Sequence, residues 1–297
     1  MLLFFLIYIN DIHCGLSPGT KIRLFADDSL LYREIKSKND CITLQKDLET
    51  LQKWEGKWKM EFHPDKCQVL KISRKRVKIE HNYTIHKHSL KETKSAKYLG
   101  VTIDNELKWN EQTQIVKKKA NNTLAFLRRN IPSKCTKKTK EQCVKSLVKP
   151  ILEYGCCVWD PYLKTQIDNL EKVNKNAARF ITKNYSYTHG STAQNMHDLG
   201  WIPLEEQRAR NKLNIFFKAN AGQIGISMED LKRSGRKTRF SDNLTFILPS
   251  SKIDCHKHSF FHSTVRLWNK LPSETRCSST VGTFKQKLQE VTVKSSY

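Results

Sequence analysis

The chain has 297 residues, with 53 Lys or Arg against 29 Asp or Glu and a formal net charge of +24. Hydrophobic residues make up 38%, including six Trp and thirteen Phe, so a core can form; this excludes wholesale disorder, and the length suits two or three compact units. Such a charge excess repels itself in a folded state, so a polyanion, above all nucleic acid, is the natural partner; a merely soluble Lys-rich surface is the alternative.

The first element, 1-MLLFFLIYIND-11, is apolar but far shorter than the roughly 20 residues of a membrane span. It lacks a basic start and a small-residue cleavage site, so it reads as a core element with no membrane association. The nine cysteines, an odd number without the rhythm of a small disulfide scaffold, suit free thiols in a reducing, intracellular setting. Nucleus and cytoplasm stay open, since 232-KRSGRK-237 reads equally as a nuclear address or a solvated loop.

Next comes 24-LFADDSLLY-32, which sets Asp27 and Asp28 side by side between two apolar segments. Burial of both flanks puts the pair at a tight strand–turn–strand tip. Two carboxylates there can offer oxygens to Mg²⁺, which takes one or two carboxylates plus substrate phosphate. A solvated Asp–Asp turn is the plainer alternative.

Ser37 and Asp40 then make a capping-box-like start. Leu44, Leu48, Leu51 and Trp58 follow on one helical face, with Trp54 close by and Pro64 as a stop. A short strand at 67-CQVLKIS-73 and hairpin strands across 74–104 complete this part, with Gly100 at a tight turn.

From Trp109 the pattern is helical. Val116, Ala120, Leu124 and Leu127 mark one helix; 139–154 forms a second, kinked at Pro150; Ile167, Leu170, Val173, Ala177 and Phe180 line a third. A helix started by Pro203, a basic loop at 232-KRSGRKTRF-240 and a last helix at 283–291 come after these. In 255-CHKHSFFHS-263, Cys255, His256, His258 and His262 have partial zinc spacing, but a structural site needs a second, separate ligand pair. Cys156 and Cys157 beside Trp159 read as core thiols.

Six blocks, 24-LFADDSLLY-32, 62-FHPDKCQVLKISRK-75, 97-KYLGVTID-104, 148-VKPILEYGCCVWDP-161, 170-LEKVNKNAARFI-181 and 261-FHSTVRLWNKLP-272, together resemble non-LTR retrotransposon reverse transcriptases of the jockey or chicken-repeat type. The resemblance implies an α+β chain: a partial right-hand polymerase palm at 1–108, a helical thumb at 109–188 and a C-terminal extension at 189–297. It implies that Asp27 and Asp28 bind the catalytic Mg²⁺ ions and that Lys66 stands where the family has a palm lysine near the departing pyrophosphate. Tyr98, Leu99 and Gly100 match the turn that steadies the primer 3′ end. The thumb would track an RNA template and DNA primer, with Lys117, Lys118, Lys119, Arg128 and Arg129 as candidate backbone contacts.

The family's third catalytic aspartate and its Gly-x-Pro-Gln-Gly segment precede the acidic hairpin and have no counterpart here; 2-LLFFLIYINDI-12 looks like the helix after that segment. The expectation is therefore a polymerase fragment that is inactive alone. The competing reading is a non-enzymatic, basic nucleic-acid-binding remnant. A Mg²⁺-dependent phosphatase would explain the acidic pair but none of the later blocks.

Overall fold

The computed structural model describes residues 2–186, 188, 190–229, 231–234 and 244–293. They fall into two units, Met1–Leu107 and Lys108–Tyr297. Among the described residues no helix is long and apolar enough to cross a membrane.

The first unit is built on one long helix. It opens with α1 (Leu2–Ile9), the hairpin β1 (Thr20–Phe25) and β2 (Asp28–Arg33), and α2 (Lys38–Trp58). The capping-box reading at Ser37 is realised through Asp40, whose carboxylate accepts from the Ser37 N–H and Oγ, both at 2.9 Å, and from the Lys36 N–H at 3.1 Å. Those bonds, led by the one from the Ser37 hydroxyl, hold the Asp40 carboxyl below its ordinary range. The helix ends several residues before Pro64, because Lys59 takes the left-handed conformation (φ 57°) and its N–H bonds back to the Glu55 carbonyl.

After a 3₁₀ turn at Pro64–Lys66 come β3 (Gln68–Leu70), β4 (Thr84–Ile85), β5 (His88–Ser89), β6 (Lys91–Thr93), β7 (Ser95–Tyr98) and β8 (Val101–Asp104). They form two-stranded pieces: β4–β5 and β7–β8 are antiparallel hairpins, and β3 pairs in parallel with β6. The hairpin strands expected across 74–104 form only from Thr84 onward, and the strongly charged run 74–78 stays outside them. Two apolar clusters sit along α2. Ile9, Ile12, Leu51 and Trp54 gather Ile22, Leu24 and Leu31 of the hairpin. Cys41, Tyr83, Ile85 and Leu90 gather Leu44, Leu48 and Val69.

The second unit is helical: α3 (Asn110–Asn130), α4 (Lys137–Leu147), α5 (Lys149–Glu153), α6 (Cys156–Trp159), α7 (Lys164–Thr182), α8 (Ser191–His197), α9 (Leu204–Asn220), α10 (Asp254–Lys257), α11 (Phe260–Asn269), α12 (Ser273–Arg276) and α13 (Val281–Glu290). The stripes read from spacing are the buried ones on α3 and α7. The expected kink is a break at Val148, two residues before Pro150, where the proline ring ends one helix and starts the next. Pro203 sits at the N-cap of α9.

An aromatic core closes this unit. Trp268 lies 5.2 Å from Phe216 and 5.9 Å from Phe284, and Phe217 stacks on Phe284 at 4.4 Å. The buried Trp268 Nε1 donates to the Leu244 carbonyl at 2.9 Å, so its one polar atom is satisfied. The basic loop read at 232–240 lies outside the described residues from 235 onward.

Candidate metal-binding hairpin and nucleic-acid interface

Strand alternation sorts the hairpin into two faces. Thr20, Ile22 and Leu24 pair with Arg33, Leu31 and Ser29 on one face, whose apolar members pack towards α1 and α2. Lys21, Arg23 and Phe25 pair with Tyr32, Leu30 and Asp28 on the other, and all six are exposed. The strands are joined by Ala26 and Asp27 alone, so both aspartates stand exposed at the tip; the expected burial of both apolar flanks is not found, since Phe25, Leu30 and Tyr32 face outward.

The hairpin's open end is pinned by a polar network that the sequence reading missed. Asp47, 1% exposed on α2, accepts from the Ser17 N–H at 2.8 Å and from Thr20 Oγ1 at 2.5 Å. Arg33 donates to the Pro18 carbonyl at 2.9 Å and to Thr20 Oγ1 at 3.0 Å, and reaches Asp40 at 3.4 Å. A buried carboxylate needs such donors to replace its lost hydration. Its sequence signal was its place on the apolar stripe, three residues after Leu44 and four before Leu51.

Ala26 has φ 51°, in the region that favours glycine. A non-glycine residue there costs about 1–2 kcal/mol. Replacing Ala26 with Gly is therefore expected to leave the first unit unharmed or to stabilise it by up to about 1 kcal/mol. Urea unfolding monitored at the tryptophans checks this; a clear loss of stability would mean that Ala26 is not strained.

The other palm candidates occupy their own elements. Lys66 is exposed at the end of the 3₁₀ turn, reached through a loop whose Phe62 N–H donates to buried Glu55 at 2.7 Å. Tyr98 precedes a two-residue turn with both central residues at positive φ, Leu99 at 45° and Gly100 at 81°. That pattern belongs to a type I′ hairpin turn, and it explains the glycine. Among the described residues, no strand pairing joins β1–β2 to β3–β6 or β7–β8, and no hydrogen bond or ion pair links Asp27 or Asp28 to Lys66.

Two exposed carboxylates are hard oxygen donors that suit Mg²⁺ keeping water or phosphate as its remaining ligands. Among the described residues, no group of three or more His, Cys, Asp or Glu is arranged to hold a metal ion. Asp11, the one acid before the pair in sequence, is used for packing: its carboxylate accepts from Trp54 Nε1 at 2.7 Å. The zinc candidates do not form a ligand group either. His258 stacks on Tyr162 at 4.2 Å, the His262 ring lies 3.9 Å from that of His256, and burial pushes His258 and His262 below the usual histidine range.

In the second unit the five basic candidates on α3 divide. Lys117 Nζ donates to Asn169 Oδ1 at 2.9 Å and Arg128 to the Asn176 carbonyl at 3.0 Å, so both are engaged by α7. Lys118, Lys119 and Arg129 are exposed, with no side-chain hydrogen bond or ion pair among the described residues. Lys118 and Arg129 lie eleven residues apart, about three helical turns, so they share one face. Lys149 leaves the pool of surface cations: its Nζ sits 4.0 Å over the Trp201 ring and donates to Asn174, and burial pushes it down to about 8.

Residues 2–103 match the family of reverse transcriptases (RNA-dependent DNA polymerases). This stretch is similar to reverse transcriptase sequence. It contains the acidic hairpin, Lys66 and the Tyr98–Gly100 turn. A longer stretch of the chain is also similar to a curated relative, a probable RNA-directed DNA polymerase from transposon BS of Drosophila melanogaster. Identity is 29% over 210 residues, covering 68% of this chain and 22% of that protein. The chain thus spans about a fifth of the length of the curated relative it matches. No solved structure matches it.

Proposed function

We propose that the chain is part of a mobile-element reverse transcriptase of the jockey or chicken-repeat type, with half of a polymerase palm at 1–108, a thumb at 109–188 and a C-terminal extension at 189–297. The observation that carries this is the two-residue tip presenting Asp27 and Asp28 inside the matched segment. Mg²⁺ held there would supply charge neutralisation at the attacking and leaving oxygens of nucleotidyl transfer. Asp27 and Asp28 would hold it, and Lys66 would offer a cation or a proton to a leaving pyrophosphate. Tyr98 and the Leu99–Gly100 turn would seat the primer end, and α3 would run along the backbone of an RNA template–DNA primer hybrid.

The pair is a half-site, so weak metal binding and no primer extension by this chain alone are the expected outcomes. Removal of one shared carboxylate misplaces the reacting oxygen and costs orders of magnitude in rate. Mn²⁺ serves as a paramagnetic stand-in. Its binding to the purified chain should lie in the millimolar range and weaken several-fold in Asp27→Asn and again in the double variant with Asp28→Asn. Binding unchanged in the double variant would remove the hairpin as the metal site. Extension by the wild-type chain, lost in Asp27→Asn, would show that the half-site is sufficient. The non-enzymatic binding reading is supported instead by tight hybrid binding with no metal dependence.

A further inference from the structure

The second unit carries two adjacent thiols for which the proposed polymerase chemistry has no use. Cys156 and Cys157 open α6; Cys156 is 2% exposed and Cys157 half-buried, so the pair meets solvent through Cys157. Asn211 Nδ2 of α9 donates to Cys156 Sγ at 3.6 Å. The two thiols lie close enough to share a hydrogen bond, which lowers Cys156 from the ordinary thiol range and raises Cys157. The Asn211 bond and the Arg208 cation lower Cys156 further, against the opposing pull of burial. The charges around Asp160 act in the same direction. Two buried cations, Arg208 and Lys212, share that one carboxylate, and two guanidinium nitrogens of Arg208 have no hydrogen-bond partner among the described residues. A second anion is favoured beside such an excess, and the Cys156 sulfur lies within its field.

We propose that Cys156 and Cys157 form a peroxide-reactive dithiol that closes reversibly to a vicinal disulfide and so releases Asp160 from its buried cations. Cys156 is the nucleophile and Cys157 the resolving thiol. The Cys156 thiolate attacks one oxygen of hydrogen peroxide; the O–O bond breaks, the sulfur is oxidised to a sulfenic acid, and hydroxide leaves as water with the proton that the thiol gave up. The Cys157 sulfur then displaces the sulfenic hydroxyl to form the S–S bond, and its own proton leaves with that hydroxyl as a second water. Two thiols and one peroxide thus give one disulfide and two waters. Geometry makes this bond labile. Neighbouring Cα atoms are held about 3.8 Å apart, inside the span of about 4.4–6.8 Å that disulfides usually bridge, so the ring is strained and easily reduced. It also cannot close on a helix, where side chains at i and i+1 do not face each other. Closure therefore unwinds the start of α6, and Asp160 stands at the end of that same four-residue helix.

The test uses the full chain, treated with hydrogen peroxide and then with dithiothreitol. Peptide mass spectrometry should find the tryptic fragment 146–164, which holds both thiols, lighter by two hydrogens after peroxide and restored by dithiothreitol. The melting temperature of the oxidised chain should fall by at least about 5 °C and recover on reduction. Cys157→Ser, a near-isosteric change at a half-buried position, should melt like reduced wild type and lose the reversible shift. Cys156→Ala removes the nucleophile and should lose that shift too. A fragment that stays dithiol while the exposed Cys14 and Cys277 oxidise would overturn the proposal. So would a disulfide from either thiol to a third cysteine, a vicinal disulfide that leaves melting unchanged, or a reversible shift that persists in both variants.

Discussion

Replacing Asp160 with alanine is expected to unfold the second unit or to leave it barely stable. Asp160 follows α6 and is 6% exposed; its two oxygens take Arg208 Nε at 2.6 Å and Lys212 Nζ at 2.5 Å, from cations each 1% exposed on α9. Lys212 also donates to Ser263 Oγ of α11 at 3.2 Å. Two terminal guanidinium nitrogens of Arg208 are already buried without a hydrogen-bond partner, so loss of the carboxylate strands charge that is short of acceptors to begin with. Breaking a buried ion pair by removing one member costs about 3–5 kcal/mol, a large share of the 5–15 kcal/mol that holds a domain together. The attraction between the charges is not what makes the loss severe; the stranded cations are. Replacing all three at once, Asp160→Leu with Arg208→Met and Lys212→Met, should therefore recover most of the stability. Urea denaturation of the three proteins separates these cases. An alanine variant within about 1 kcal/mol of wild type would mean that water reaches the cluster, where exposed pairs are worth about 0–1 kcal/mol.

The same cluster marks where sequence reasoning stops. Trp159 and its neighbouring thiols announce a core by composition, and Cys156 is indeed buried. Nothing local says that Asp160 is buried with them, because its partners lie 48 and 52 residues away. Asp47 was hidden for the same reason: a carboxylate on an apolar stripe makes sense only once Ser17 and Thr20 are seen to meet it. The stripes of α3 and α7 were legible because the 3.6-residue period is written into neighbouring residues over several turns; α8 and α11, shorter and richer in polar residues, were not read as helices. The parallel pairing of β3 with β6 was not legible, because three-residue strands carry too little pattern to fix a partner across twenty residues. The acidic hairpin was legible because its register and its turn are both local. The basic face of α3 was legible only in part, since a lysine turned towards α7 and one turned to water read alike.

That division of α3 leads to the largest functional effect we expect. Alanine at Lys118, Lys119 and Arg129 together should weaken binding of an RNA–DNA hybrid by two to three orders of magnitude at 0.1 M salt. Each phosphate that goes unpaired removes about 0.9 from the slope of log affinity against log salt, so three remove about 2.7. Alanine at Lys117 and Arg128 should do much less for binding, because their polar atoms already serve Asn169 and Asn176. Those two substitutions should instead reduce stability slightly, by about 1 kcal/mol for each hydrogen bond removed. The two variants thus make opposite demands on one helix, and affinity measured at several salt concentrations alongside unfolding curves reads both. Equal losses of affinity from the two sets would mean that net charge, not the exposed face of α3, governs binding. Loss from the outer set alone, with its slope reduced by about three, would identify that face as the surface that lies along the nucleic-acid backbone.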